Sequence, residues 1–259
     1  MAPMLTAHLP KFVMRGRARL ILTVLLCTLA AGAVPACGGD QKAPPATGTP
    51  ATTSTTPVKS TTPVNVAADK AKARTLLLRP SDLPATWKAT PAQRTSEDKT
   101  DELAACLGRP SPATYTTADI DSPDFSLGNA EASSRAELVR TVEDFRADVA
   151  AASGPKFIPC VKSTATASFR RQLQAQGVSL QSLSVERLQV ARYGQFSMGL
   201  RMTMKVMAQG QHAIIYIDSI LLGKERIELS TSFSKVDRPF DPALESALLA
   251  KLGGRLEAA

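Results

Sequence analysis

Few residues in this chain combine a reactive side chain with a spacing that chemistry could use. Cys27, Cys37, Cys106 and Cys160 come first, because a thiol can carry lipid, form a bridge or ligate a metal. Ser197, in "GQFSMG", lies between glycines but not at the G-x-S-x-G spacing that exposes a nucleophile on a strand-to-helix elbow, and it reads as a structural serine. His212, in "QGQH", has no orienting carboxylate beside it. Asp119, Asp121 and Asp124, in "DIDSPD", cluster as in calcium loops but lack the glycine and distal glutamate of an EF-hand, so they read as a solvated loop. "GKERIE", residues 223–228, is too poor in glycine to cradle a phosphate. No nucleophile, base and oxyanion donors assemble, so the chain is expected to be no enzyme and to use no cofactor.

Cys37 has the most informative surroundings. Lys11, Arg15, Arg17 and Arg19 precede the apolar stretch "LILTVLLCTLAAGAV", which closes on small residues, the anatomy of a secretory signal. The stretch is shorter than the roughly 20 residues of a spanning helix. It ends in "VPAC", which resembles the bacterial lipobox, although Pro35 stands where a small residue is usual and Val34 where Leu is commoner. That resemblance implies a diacylglyceryl group on Cys37, with palmitate-type acyl chains, and cleavage so that Cys37 leads the mature chain. Two acyl chains hold a protein stably on a membrane where one does not. The expected place is the extracytoplasmic face of the cell membrane, with residues 1–36 as signal peptide. An ordinary signal cut near Ala36 is the first alternative and an uncleaved membrane anchor the second.

With Cys27 leaving in the signal and Cys37 lipidated, Cys106 and Cys160 remain. Two thiols in an exported domain point to one disulfide, the alternative being two separate buried thiols. A metal site is not expected, since beyond the signal only His212 could join them and the spacing is wrong. The 31 basic residues outnumber the 23 acids, but four of them precede Cys37 and no acid does, leaving a mature excess of +4. The basic residues are scattered with few aromatics between them, which carries no nucleic-acid footprint.

Residues 37–66 are built from Thr, Pro, Ala and Ser and cannot bury enough apolar surface to fold. They read as a disordered tether, extended at about 3.1 Å per residue and open to O-glycosylation. Residues 67–259 read as a single globular domain. Its expected elements are a helix over "AADKAKARTLLL", a short strand near Trp87, a helix from about Thr100 to Leu107, and a strand over "AEASSRAEL". Thr141 and Asp144 make a capping box for the next helix, and another runs from about Pro159 to Gln176, closed by Gly177.

The second half reads as sheet. In "FSMGLRMTMKVM" the residues Phe196, Met198, Leu200, Met202, Met204 and Val206 share one face. "AIIYIDSILLG" is apolar on both faces except for Asp218 and Ser219, as a central strand would be, and short turns make these strands antiparallel neighbours. Asp241 and Pro242 open a last helix that Gly253 and Gly254 should end. The class is α+β, a two-layer sandwich of largely antiparallel sheet with helices on one face.

The motif order "LLLRPSDLPATW", "ACLG", "SPDF", "FIPC", then a four-strand meander and a closing helix, resembles actinobacterial, mycobacterial-type lipoproteins with sensor-like extracellular domains, related to the outer part of receptor serine/threonine kinases. The resemblance spans about residues 70–255. It implies exposure at the outer face of the membrane and binding of a ligand or partner, with no catalytic residues to carry over. A PsbP/Mog1-like sandwich is a further likeness of fold. Two kinds of binding follow: docking of an envelope protein or polar ligand on the sheet or loops, or a cavity for a lipid or acyl chain lined by Met198, Met202 and Met204, whose side chains adapt to irregular apolar shapes. Ordinary core is the alternative for those methionines.

Overall fold

A computed structural model of the chain describes residues 64–92 and 100–259. Cys37, the signal and nearly all of the tether lie outside them. Five helices and eight strands follow in the order α1 (Val66–Leu76), β1 (Lys88–Thr90), α2 (Thr100–Leu107), β2 (Thr116–Asp121), β3 (Asp124–Leu127), β4 (Ala130–Val139), α3 (Val142–Ser153), α4 (Phe157–Gln174), β5 (Val178–Leu188), β6 (Phe196–Ala208), β7 (Gln211–Lys224), β8 (Ile227–Val236) and α5 (Pro242–Ala258). Among the described residues no helix is long and apolar enough to cross a membrane.

The strands form one antiparallel sheet in the order β1-β3-β4-β8-β7-β6-β5, with β2 also paired to β4. β2 and β3 share one edge of β4, and Ser122 at the bend between them is held there: its N–H donates to Ser134 O at 2.8 Å and its Oγ accepts from Ser134 N at 2.9 Å. The α+β class and the antiparallel meander β5 to β8 are those expected from the alternation. The helices, however, lie on both faces of the sheet. Ile220 and Leu222 of β7 point to a core closed by Leu76 of α1 and Leu248, Leu252 and Leu256 of α5. Ile217, three residues from Ile220 and so on the opposite face, packs with Met202 and Met204 beneath Phe169 and Leu173 of α4. The central strands are apolar on both sides because both sides are covered.

Local signals explain several element ends. Thr141 Oγ1 accepts from Asp144 N at 3.0 Å while Asp144 Oδ2 accepts from Thr141 N at 3.0 Å, completing the capping box of α3. Gly177, at φ 72°, follows α4 in the left-handed region that glycine enters without cost from a Cβ. The last helix differs from expectation, since α5 runs through Gly253 and Gly254 to Ala258. A methyl at Gly253 would overlap the ring of Tyr193, so this glycine serves close packing instead of a helix end. Beyond it, Arg255 grips Asp82 with Nη1 to Oδ2 at 2.8 Å and Nη2 to Oδ1 at 2.6 Å. Burial pushes the Asp82 carboxyl up, but the Arg255 hydrogen bonds and the Arg79 N–H outweigh it and hold the group below its ordinary value.

A second buried polar group lies on the α5 side. Arg201 meets Asp218 through Nε to Oδ1 at 2.7 Å and Nη2 to Oδ2 at 2.6 Å, and Glu245 of α5 hydrogen-bonds to the same aspartate. Burial, reinforced by the Asp218 charge, pushes Glu245 up to about 7.

Candidate functional site

On the other face, α2, α3 and α4 do not close fully on the sheet. Between them lies a partly open cavity of about 210 Å³. Its helix walls carry small side chains where a filled core would carry large ones, among them Ala104 of α2, Ala152 of α3 and Ala165 of α4. Leu107, Val149 and Val161 complete these walls, and Leu200, Met202 and Leu221 line the sheet side. The bridge between Cys106 of α2 and Cys160 of α4, with Cα atoms 5.8 Å apart, fastens two of the enclosing helices to each other. This is the disulfide expected from the cysteine count. Arg171 Nη2 of α4 adds an exposed ion pair to Glu102 Oε1 of α2 at 3.3 Å.

The cavity also has a polar lining. Glu137 of β4 and Glu228 of β8 stand directly opposite in the antiparallel register, and both line the cavity with Asp148 of α3. Arg109 donates from Nε and Nη2 to Asp148 Oδ1 at 3.1 and 3.0 Å, and Tyr115 Oη donates to the same oxygen at 3.0 Å. The Arg109 guanidinium lies 5.7 Å from the centre of the Tyr115 ring, close enough for a cation–π contact. Glu228 hydrogen-bonds to Asp148. Burial, with the charges of Asp148 and Glu137 beside it, drives Glu228 well above the ordinary carboxylate range, so it holds the proton of that pair. Burial also raises Asp148, although Arg109 and Tyr115 oppose the rise.

Glu137 is 5% exposed, and burial lifts it to about 7 against the pull of Arg135, with Asp119 and Asp121 adding to the rise. Arg135 Nε pairs with Glu137 Oε1 at 2.7 Å, and the same guanidinium hydrogen-bonds to Asp119, Nε to Oδ1 at 2.7 Å and Nη2 to Oδ2 at 2.6 Å. Glu137 Oε1 and Glu228 Oε1 are both buried without a hydrogen-bond partner.

The residues singled out from the sequence are dispersed. Met202, 1% exposed, lines the cavity. Met204, 0% exposed, is core beneath α4, and Met198, 5% exposed, accepts a 3.0 Å contact at Sδ from Arg187 Nη1. The cavity wall is thus made mostly of leucine, valine, alanine and phenylalanine, with Met202 as the one of these three methionines that joins it. Ser197 Oγ exchanges hydrogen bonds with the backbone of Tyr193, accepting from N and donating to O at 2.8 Å each. His212 lies exposed in β7, paired with Met207. The acids of "DIDSPD" are not in a loop, because Asp119 and Asp121 belong to β2 and Asp124 opens β3.

The acids that do meet, Glu137, Asp148 and Glu228, were not singled out by sequence. Glu137 and Glu228 each alternate with apolar residues as outward-facing strand positions do, and nothing local shows that a helix covers them. The one available signal is that both fall in the central part of a sheet too large to leave a face bare.

No family model matches the chain, and no curated protein matches it either. Among solved structures, it is similar to the extracellular domain of PknH from Mycobacterium tuberculosis, at 10% sequence identity and a TM-score of 0.39, over 77% of this chain and 100% of that one.

Proposed function

We propose that this chain is a non-catalytic binding or sensory module, held by lipid on Cys37 at the extracytoplasmic face of the membrane, and that it takes a small apolar or amphipathic ligand into the cavity between β6, α3 and α4. The observation that carries the reading is the cavity of about 210 Å³, apolar along its walls and acidic on the β4–β8 side. Pockets that bind small molecules are typically apolar with a few placed polar groups. The cavity is smaller than the several hundred Å³ a long acyl chain would need, so a compact ligand fits the reading better than a lipid cargo. Glu137, Asp148, Glu228, Arg109 and Tyr115 serve here to orient the occupant.

The test is titration of the full chain in zwitterionic nanodiscs with an apolar fluorophore, beside the cavity-filling variant Ala165→Phe and empty discs. Saturable binding to the wild type that Ala165→Phe removes is the expected result. Binding no greater than that of empty discs, or binding indifferent to the substitution, would reject the cavity as the ligand site. Native mass spectrometry of the chain after extraction from membranes then identifies what it carries.

A further inference from the structure

We propose that the occupant of this cavity is uncharged, a compact apolar ring that carries one neutral oxygen function, hydroxyl or carbonyl, seated on Ser219 of β7 and Ser230 of β8. The proposal rests on the cavity being a ligand site and adds the chemical class of the ligand.

The charged groups of the lining are spent on one another. Arg109 donates from Nε and Nη2 to Asp148, Tyr115 Oη donates to the same carboxyl, Glu228 hydrogen-bonds to it, and Glu137 Oε1 pairs with Arg135 Nε at 2.7 Å. An ammonium here finds each carboxyl already held. A carboxylate finds Arg109, the one cation of the lining among the described residues, committed to Asp148. Either ion would leave water for walls that are largely apolar, at a cost that no free partner offsets. The charged groups therefore orient the occupant by exclusion, leaving its apolar body to Ala152, Ala165 and Leu200.

The hydroxyls of the sheet side are not spent. On α4, Thr164 Oγ1 donates to Cys160 O at 2.9 Å and Ser168 Oγ accepts from Gln172 Nε2 at 2.9 Å. Ser219 and Ser230 also line the cavity, each partly exposed, and among the described residues neither side chain has a hydrogen-bond partner. Ser230 stands directly opposite Leu221, two positions along β7 from Ser219 and on the same face, so the two serines are diagonal neighbours, with Cα atoms roughly 7–8 Å apart. One oxygen set between their hydroxyls can serve both: a ligand hydroxyl accepts from one and donates to the other, and a carbonyl oxygen accepts from each. A bare hydrocarbon would strip water from both serines and return nothing, whereas a neutral oxygen replaces the bonds that the water made. The body is limited by the walls: a cavity of about 150 Å³ accepts benzene, so the space of about 210 Å³ here suits a single substituted ring.

The experiment compares 2-phenylethanol, ethylbenzene, 2-phenylethylamine and phenylacetate by calorimetry on the full chain in zwitterionic nanodiscs, with the heats of empty discs subtracted and with Ala165→Phe and the double variant Ser219→Ala/Ser230→Ala beside it. The alcohol is expected to bind at least tenfold tighter than the amine or phenylacetate. The double variant should weaken the alcohol about tenfold and leave ethylbenzene as tight as before. If either ion binds as well as the alcohol, or the double variant leaves the alcohol unchanged, while Ala165→Phe removes the probes, the ligand class is wrong and the cavity reading stands. If no probe binds beyond empty discs, or Ala165→Phe changes nothing, both fall. Should the double variant fail to fold, the wild-type order decides alone, and an alcohol that binds no tighter than the two ions overturns the proposal.

Discussion

Cys106 of α2 and Cys160 of α4 join two of the helices that line the cavity, their Cα atoms 5.8 Å apart and 54 residues apart in sequence. The bridge therefore constrains both the unfolded chain and the shape of the site. Closing a loop of this length stabilises by about 4 kcal/mol in the chain-entropy model. Replacing both cysteines by serine should lower unfolding stability by roughly 2–4 kcal/mol in a denaturant melt and weaken cavity-probe binding by more than the melt predicts. Two alkylatable thiols in the unreduced, denatured mature chain would show that the bridge does not form.

Met202 and Met204 are neighbours on one strand face with different surroundings. Met204 is enclosed by Phe169, Leu173 and Ile217, whereas Met202 has the cavity beside it. Met204→Ala removes packed volume and should cost about 2–5 kcal/mol. Met202→Ala should cost less, since part of its surroundings is already empty, and should change the affinity for an apolar probe, which Met204→Ala should leave nearly as it was. Equal losses with unchanged probe binding would make both methionines plain core.

Cys37 is the thiol placed to accept lipid, so Cys37→Ala should release the protein from the membrane fraction or leave an unprocessed precursor. A variant that still fractionates as mature, membrane-bound protein would remove the lipid anchor from the proposal.

The elements were legible where one local signal decides the backbone. β6 alternates without a slip from Phe196 to Val206, and Thr141 with Asp144 marks the start of α3 from four residues. The closing helix runs through Gly253, where a glycine otherwise marks a helix end, because the glycine is there for a ring from a distant segment, Tyr193, which no window around residue 253 contains. The site was hidden for the same kind of reason. Glu137 and Glu228 lie 91 positions apart and meet only through the β4–β8 register, and Asp148 reaches them only once α3 has folded back over the sheet. Alternation says which residues share a face, whereas coverage of that face is a property of the whole chain.

The raised carboxyls make stability fall as pH rises. Glu137 and Glu245 both sit at about 7 in the fold against an ordinary value of 4.5. Between those two values the folded chain holds protons that the unfolded chain has lost. Stability from these groups is therefore complete below about pH 4.5, declines through the interval and levels off above pH 7. For Glu137, buried to 5% exposure, the decline is of order 1–3 kcal/mol. Asp82 acts in the opposite direction at lower pH, because Arg255 holds it below its ordinary value and its contribution is lost as acid protonates it. Chemical denaturation across pH 4 to 8 should thus give a maximum near pH 4–5 and a fall toward neutrality, with Glu137→Gln and Glu245→Gln each flattening the fall. A profile that climbs steadily to pH 7, with glutamine variants parallel to the wild type, would mean that these carboxyls are ionised in the fold and that the acidic side of the cavity is open to water.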